Sequence, residues 1–92
     1  MISTIKVKNP EKLQEYLKKV KRIGDQLGAE MLFNGPAIGT ILGKLDHQMV
    51  IAIKFPSLEA IDQLFASDEY QPLIPLRNEA AEMQIIKYQH AN

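Results

Sequence analysis

The stretch Met49–Phe65, MVIAIKFPSLEAIDQLF, joins a strand pattern to a helix pattern and decides the fold. Its first seven residues alternate between two faces. One face carries Met49, Ile51, Ile53 and Phe55, and the other carries Val50, Ala52 and Lys54. Ser57 then serves as an N-cap, and the apolar residues after it recur at helical spacing. The stretch therefore predicts a β-strand that leads directly into an amphipathic helix.

The predicted strand is apolar on both faces, since Val50 and Ala52 lie opposite the larger apolar side chains. A sheet that is covered by helices on one side needs only one apolar face. The second apolar face must therefore meet another surface. We expect that surface to be a second copy of the chain, which makes the protein a homodimer.

The chain before this stretch predicts a strand and a long helix. Ile2–Lys8 alternates as a strand does. Asn9 and Pro10 then provide an N-cap and a first helical residue, and Gly28 provides the C-terminal stop. The apolar stripe of this helix consists of Leu13, Tyr16, Leu17, Val20, Ile23 and Leu27.

The segment 29–43 predicts an extended arm with an interruption. Asn34-Gly35 is a strong hairpin signal. Pro36, directly after it, has no backbone N–H, so a returning strand would lack a hydrogen-bond donor there. We therefore predict a bulge or kink there, and a hairpin loop over Gly43–Gln48.

The stretch Ser67–Arg77, SDEYQPLIPLR, predicts the end of one helix and the start of the next. Ser67 or Asp68 supplies a cap, and prolines suit helix starts. A short third helix should run to about Ala81, before a final strand over Met83–Tyr88. The order βαββαβ, with an extra helix before the last strand, predicts an α+β fold of the ferredoxin-like kind. We expect a single domain over residues 1–92, with a four-stranded antiparallel sheet.

The composition excludes several classes of partner. Eleven basic residues balance eleven acidic ones, so the net charge is zero. A nucleic acid or an anionic membrane would need a surplus of Lys and Arg on one face. The chain has no cysteine, no apolar run of the ~18–20 residues that span a membrane, and no signal-peptide pattern. We expect a cytoplasmic protein.

Metal and cofactor patterns are also missing from the sequence. The two histidines, His47 and His90, lack the spacing of a metal site. No glycine-rich phosphate motif leads into a helix. We therefore expect no metal and no cofactor.

The best candidate site residues are Tyr70 and Arg77, whose spacing of seven puts both on one side of a helical segment. Together they could hold a carboxylate or an enolate. The alternative is structural: Arg77 pairs with Asp68, Glu69 or Glu79 on the surface, and the Tyr70 hydroxyl lies in water. His47, beside Asp46, is a third candidate, as an acid or base.

A hydrophobic cavity between the sheet and the helices is the candidate ligand pocket. Its predicted walls are Met31, Phe33, Met49, Ile51 and Ile53, with Phe65 above them. The alternative is that these side chains are plain core.

The segment Val50–Arg77, VIAIKFPSLEAIDQLFASDEYQPLIPLR, resembles the signature of the DUF1330 family of small bacterial proteins. The matching positions are Phe55, Pro56, Ser57, Ser67, Glu69, Tyr70, Gln71 and Arg77. Asp68 stands where the family commonly has proline, and Leu42 where it often has an acidic residue. The resemblance implies a dimeric α+β barrel, in which two ferredoxin-like sheets pack face to face. Relatives by fold differ widely in function.

Three classes of function remain open. The protein is a cofactor-independent enzyme acting on a small apolar or aromatic acid, a binding module for such a ligand, or a dimer without a ligand site. In the first two, the ligand residues would be Tyr70, Arg77, Phe65, Met49 and Ile51.

Overall fold

The computed structural model describes residues 1–91 and contains four strands and three helices. The strands are β1 (Ile2–Val7), β2 (Glu30–Pro36), β3 (Met49–Lys54) and β4 (Ala81–Ile86). The helices are α1 (Pro10–Gln26), α2 (Leu58–Ala66) and α3 (Ile74–Ala80), the last preceded by a 3-10 turn over Gln71–Leu73. This order is the predicted one.

The strands form one antiparallel sheet in the order β2-β3-β1-β4. Ile5 and Ile51, on the two central strands, are buried in one apolar cluster with side chains of the helices, among them Leu13 and Leu64. The α+β, ferredoxin-like prediction is therefore confirmed. We call the helix-covered side of the sheet the inner face and the other side the outer face.

Helix α1 begins and ends where the sequence predicts. The Asn9 side chain accepts a hydrogen bond from the Lys12 backbone N–H at 3.1 Å, and Pro10 is the first helical residue. Beyond the helix, Gly28 has φ 79°, a left-handed conformation that glycine adopts without strain. Local sequence thus fixes the length of this helix.

Strand β2 departs from the prediction in two ways. It runs through Asn34 and Gly35 to Pro36, and the connection to β3 covers residues 37–48, longer than the predicted loop Gly43–Gln48. A bulge does occur, but it lies upstream, between Met31 and Phe33. The Ala37 N–H donates to the Gln48 carbonyl at 2.6 Å and closes the base of the loop.

The bulge changes the side of the sheet to which Phe33 belongs. Phe33 pairs with Ala52, and Asn34 pairs with Ile51, so Phe33 lies on the outer face and Asn34 on the inner one. The prediction that Phe33 lines the inner cavity was wrong, because one extra residue reverses the alternation of a strand. A Cβ on Gly35 would lie 3.3 Å from the Phe33 ring, so the ring lies over that glycine.

The boundaries around α3 shift slightly. The helix ends at Ala80, and β4 covers Ala81–Ile86 where Met83–Tyr88 was predicted. Ser67, not Asp68, makes the side-chain hydrogen bonds of the turn after α2: its hydroxyl accepts from the Tyr70 N–H at 3.1 Å and donates to the Leu64 carbonyl at 2.7 Å. Neither the 3-10 turn nor α3 has a side-chain cap. No helix within residues 1–91 is long and apolar enough to cross a membrane.

The outer face carries exposed and half-buried apolar side chains from all four strands. They are Ile2, Phe33, Val50, Ala52 and Ile86. In the loop between β2 and β3, Ile38, Ile41 and Leu42 are fully exposed. This surface is unusual for a chain whose other face already holds a core.

Candidate functional site

A cavity of about 470 Å³ lies between the inner face and the helices, and we call it the inner cavity. Most of its wall is apolar. The apolar wall includes Met31, Met49, Ile51, Ile53, Phe55, Phe65, Met83 and Ile85. The polar and charged members are fewer: Ser3, Gln14, Tyr16, Asn34 and, on the exposed side of α1, Lys18, Lys21 and Asp25. An apolar cavity of this size with a few polar groups has the character of a small-molecule site.

Small residues on facing elements keep this space open. Ser3 is buried on the inner face of β1, in line with Ile5, and Gly24 is buried on the sheet side of α1. Ala29, which follows α1, is a third small residue on the wall. Larger side chains at these positions would fill the cavity.

The structure brings three candidate ligand residues, Met49, Ile51 and Phe65, to the wall of the inner cavity. Met31 and Ile53 lie there as well. That a ligand contacts them stays a prediction.

Tyr70 and Arg77 belong to a buried polar group that we call the tyrosine–arginine cluster, together with Tyr16. The Tyr70 hydroxyl lies 2.8 Å from the Tyr16 hydroxyl, and Arg77 Nη1 donates to it at 3.0 Å. Tyr70 is 1% exposed and Tyr16 3% exposed, while Arg77 is half-buried. The Phe65 ring meets the Tyr70 ring edge-on, with centroids 4.8 Å apart. The seven-residue spacing therefore does place Tyr70 and Arg77 together.

The structural alternative for Arg77 does not hold. Within residues 1–91 Arg77 makes no ion pair, and Glu79 instead accepts from Lys12 at 2.6 Å. That hydrogen bond lowers the pKa of Glu79 below its ordinary value. Nor does the Tyr70 hydroxyl lie in water, since it is enclosed by its two partners.

Burial controls the protonation of the cluster. It raises the pKa of Tyr16 well above the ordinary value of 10, and the hydrogen bond and charge interaction with Tyr70 raise it further. The nearby Arg77 charge acts in the opposite direction and is the smaller effect. Tyr16 is therefore a neutral hydroxyl at physiological pH.

A second cavity, also of about 470 Å³, opens along β4, and we call it the edge cavity. Its wall includes Lys8, Arg77, Asn78 and Glu82. Met83 and Ile85 line both cavities. The apolar inner cavity thus shares a wall with a space that carries two cationic side chains.

The family model for DUF1330, a domain of unknown function, matches residues 1–89. The chain belongs to the DUF1330 family. No curated protein matches it in sequence.

Two solved structures share the fold of this DUF1330 protein. One is the crystal structure of methylated RPA0582 protein, with a TM-score of 0.82 and 15% identity, covering 99% of this chain and 78% of that one. The other is RPA0582, a protein of unknown function from Rhodopseudomonas palustris, with a TM-score of 0.80 and 16% identity, covering 99% and 80%. At these identities the similarity establishes the fold alone.

The third candidate, His47, lies apart from the cluster. It is half-buried at the end of the loop that precedes β3, and neither described cavity includes it in its wall. Residues 1–91 also contain no group of three His, Cys, Asp or Glu side chains placed to hold a metal ion. His47 is therefore not placed to exchange a proton with a ligand in either of the two described cavities.

Sequence reasoning missed Tyr16 as a site residue and treated it as part of the α1 stripe. One signal was present: tyrosine is the only stripe member with a hydroxyl, and a buried tyrosine hydroxyl needs a partner. Its partner, Tyr70, is 54 residues away in the chain. Only the packing of α1 against the turn after α2 reveals the pair.

Proposed function

We propose that this DUF1330 protein binds a small apolar or aromatic carboxylic acid in the inner cavity, without a cofactor. The observation that carries the proposal is the cavity itself, which has a volume of about 470 Å³, a mostly apolar wall and a buried polar cluster beside it. Ligand sites combine these two properties, an apolar body and few orienting polar groups.

The proposal that the ligand carries an acid group rests on the cationic side chains near one wall of the inner cavity. Arg77 and Lys8 lie in the edge cavity, behind the shared side chains Met83 and Ile85. The only described acidic residue in that wall is Glu82. A ligand whose ring packs on Met83 and Ile85 would place its carboxylate within the field of these cations.

We also propose that two chains pair through their outer faces to form a dimeric α+β barrel. The exposed apolar residues of that face support the pairing, as does a net charge of zero, which gives no repulsion between copies. A cytoplasmic location is part of the same proposal, and a chain without cysteine needs no oxidising compartment.

Titration with 2-naphthoate tests the binding proposal. Ligand binding to the folded state raises the apparent melting temperature by mass action, so we expect a concentration-dependent increase and a calorimetric binding isotherm. Hits from a wider set of small acids are then incubated with the protein and assayed for turnover, which separates an enzyme from a binding module.

A pair of variants on α1 provides the control. Val20→Phe puts a ring into the inner cavity, because Val20 lines it, and should weaken binding at least tenfold. Arg22→Phe adds the same ring on the exposed side of α1 and should leave binding unchanged. Equal binding by both variants would place the ligand elsewhere.

A further inference from the structure

The tyrosine–arginine cluster contains one more hydroxyl proton than the contact between its two hydroxyls uses. Tyr16 and Tyr70 each carry one proton, and the single hydrogen bond between them uses one of the two. The contact of Arg77 with Tyr70 uses a guanidinium proton, because arginine has no acceptor. One phenolic proton is therefore left for another partner.

Arg77 decides which tyrosine keeps that proton. By donating to the Tyr70 oxygen, the guanidinium draws electron density from it and makes Tyr70 the better donor. The contact between the two hydroxyls allows either one to donate. With Tyr70 as the better donor, the chain would run from Arg77 to Tyr70 to Tyr16, and the remaining proton would belong to Tyr16.

The position of Tyr16 gives this proton somewhere to go. Tyr16 lines the inner cavity, whereas Tyr70 lines neither described cavity and is almost completely buried. Besides Tyr16, the neutral polar wall of the inner cavity includes Ser3, Asn34 and Gln14. The charged side chains in the wall, Lys18, Lys21 and Asp25, are exposed, and Lys21 is paired with Asp25. A hydroxyl polarised through two hydrogen bonds from a cation is the strongest neutral donor of this set.

We propose that the Tyr16 hydroxyl donates a hydrogen bond to an oxygen atom of the ligand in the inner cavity, with Tyr70 and Arg77 as positioning residues that set the direction of the donor chain. This inference rests on the proposed function and sharpens it, because it names the protein atom that donates a hydrogen bond to the ligand. The ligand is an apolar molecule with an acceptor oxygen, a carbonyl or carboxylate, at one end. A hydrocarbon of the same shape lacks the feature that the site recognises.

Two uncharged probes of matched shape test the inference apart from any effect of charge. They are 2-acetylnaphthalene, which has a carbonyl acceptor, and 2-isopropylnaphthalene, which has none. We expect the wild-type protein to bind the ketone about tenfold more tightly, the worth of one net hydrogen bond. The carbonyl stretch of the bound ketone should lie at lower frequency than in an apolar solvent, which reports the hydrogen bond directly.

Substitutions in the cluster separate its roles. Tyr16→Phe should reduce the ketone preference to about one without weakening the hydrocarbon, and should return the carbonyl band to its apolar-solvent position. Tyr70→Phe keeps the Tyr16 proton but breaks the chain, so the preference should fall by roughly threefold. Tyr88→Phe, which alters an exposed tyrosine, should change neither quantity.

Each outcome bears on a definite claim. If wild-type protein binds both probes equally, or if Tyr16→Phe leaves the ketone preference and the carbonyl band unchanged, the inference is wrong while binding in the cavity stands. If neither these probes nor 2-naphthoate binds, the proposed function and the inference fail together. The carbonyl band of the wild-type complex keeps the test valid even if a variant folds poorly.

Discussion

Tyr70 shows how a single side chain serves packing and polar chemistry at once. Its ring packs edge-on against Phe65 and Tyr16, and its hydroxyl lies between the Tyr16 hydroxyl and Arg77. Removing the hydroxyl alone would leave the ring in place but deprive two buried or half-buried polar groups of their partner. The cost of such a change is dominated by the groups left unpaired.

Tyr70→Phe should therefore destabilise the fold by about 1–3 kcal/mol in urea unfolding, since two hydrogen bonds are lost in a buried setting. Tyr88→Phe removes the same atom from an exposed ring and should change stability by less than about 0.5 kcal/mol. Equal effects of the two variants would show that the cluster does not contribute to stability.

The protonation of Tyr16 predicts a pH effect. Burial raises the folded-state pKa of Tyr16 above the ordinary value of 10, so its contribution to stability is complete below pH 10 and is lost as the pH rises through the folded-state pKa. Above pH 10 the unfolded chain releases this proton and the folded chain retains it. Each further pH unit should then cost about 1.4 kcal/mol from this residue.

Tyr16→Phe isolates this contribution from the other groups that titrate at alkaline pH. Unfolding free energies of the two proteins, measured from pH 8 upward, should decline in parallel to about pH 10. Beyond that pH the wild-type curve should fall more steeply. Curves that stay parallel throughout would contradict a raised pKa at Tyr16.

The sequence predicts part of the cluster because part of it is local. Tyr70 and Arg77 are seven residues apart on one helical stretch, and their proximity follows from helix geometry. Tyr16 joins them through tertiary packing, which no local pattern encodes. The polar role of a tyrosine in an apolar stripe is visible only when its neighbours are known.

At the scale of elements, caps and patterns predict the helices well and the irregular strand poorly. Asn9, Pro10 and Gly28 each act where their conformational preferences require. The bulge in β2 has no such marker, because leucine at position 32 is not a turn-forming residue. The Asn34-Gly35 pair, which suggests an interruption, lies inside the strand. The register, and with it the face of Phe33, depends on pairing with β3.

Gly28 provides a prediction at this scale. Gly28→Ala would force a Cβ into a left-handed conformation with φ 79°, 3.4 Å from the Pro56 ring, and should destabilise the fold by about 1–2 kcal/mol. Gly39→Ala, in the loop, meets nothing within 4 Å and has no such φ. Urea unfolding should show no loss for Gly39→Ala; a similar loss at both sites would contradict the stop role of Gly28.

At the scale of the whole molecule, the fold is a single layer of helices on one side of a sheet, with apolar side chains left on the other side. Ala52 lies near the middle of that outer face, paired with Ile2 and Phe33 on its neighbours. The alternation of β3 alone predicts this two-sided character. Single-strand alternation does not reveal how a partner is oriented on that face.

Ala52→Lys should convert the proposed dimer to a monomer, because the substitution buries a charge at the centre of the apolar surface. Gln63→Lys, at an exposed position on α2, should leave the dimer intact. Light scattering at micromolar concentration measures the mass of each. A monomeric wild-type protein, or a dimeric Ala52→Lys variant, would contradict pairing through the outer face.

The central claim is that the space between the sheet and the helices is a ligand site. Methyl NMR during a titration with 2-naphthoate tests it most directly, because both faces of the sheet carry methyl groups. Binding in the inner cavity should shift the signals of Met49, Ile51 and Met83, which line it, and leave Ile2 and Ile86 on the outer face unchanged. Shifts confined to Ile2 and Ile86, or no shifts at saturating 2-naphthoate, would contradict the claim.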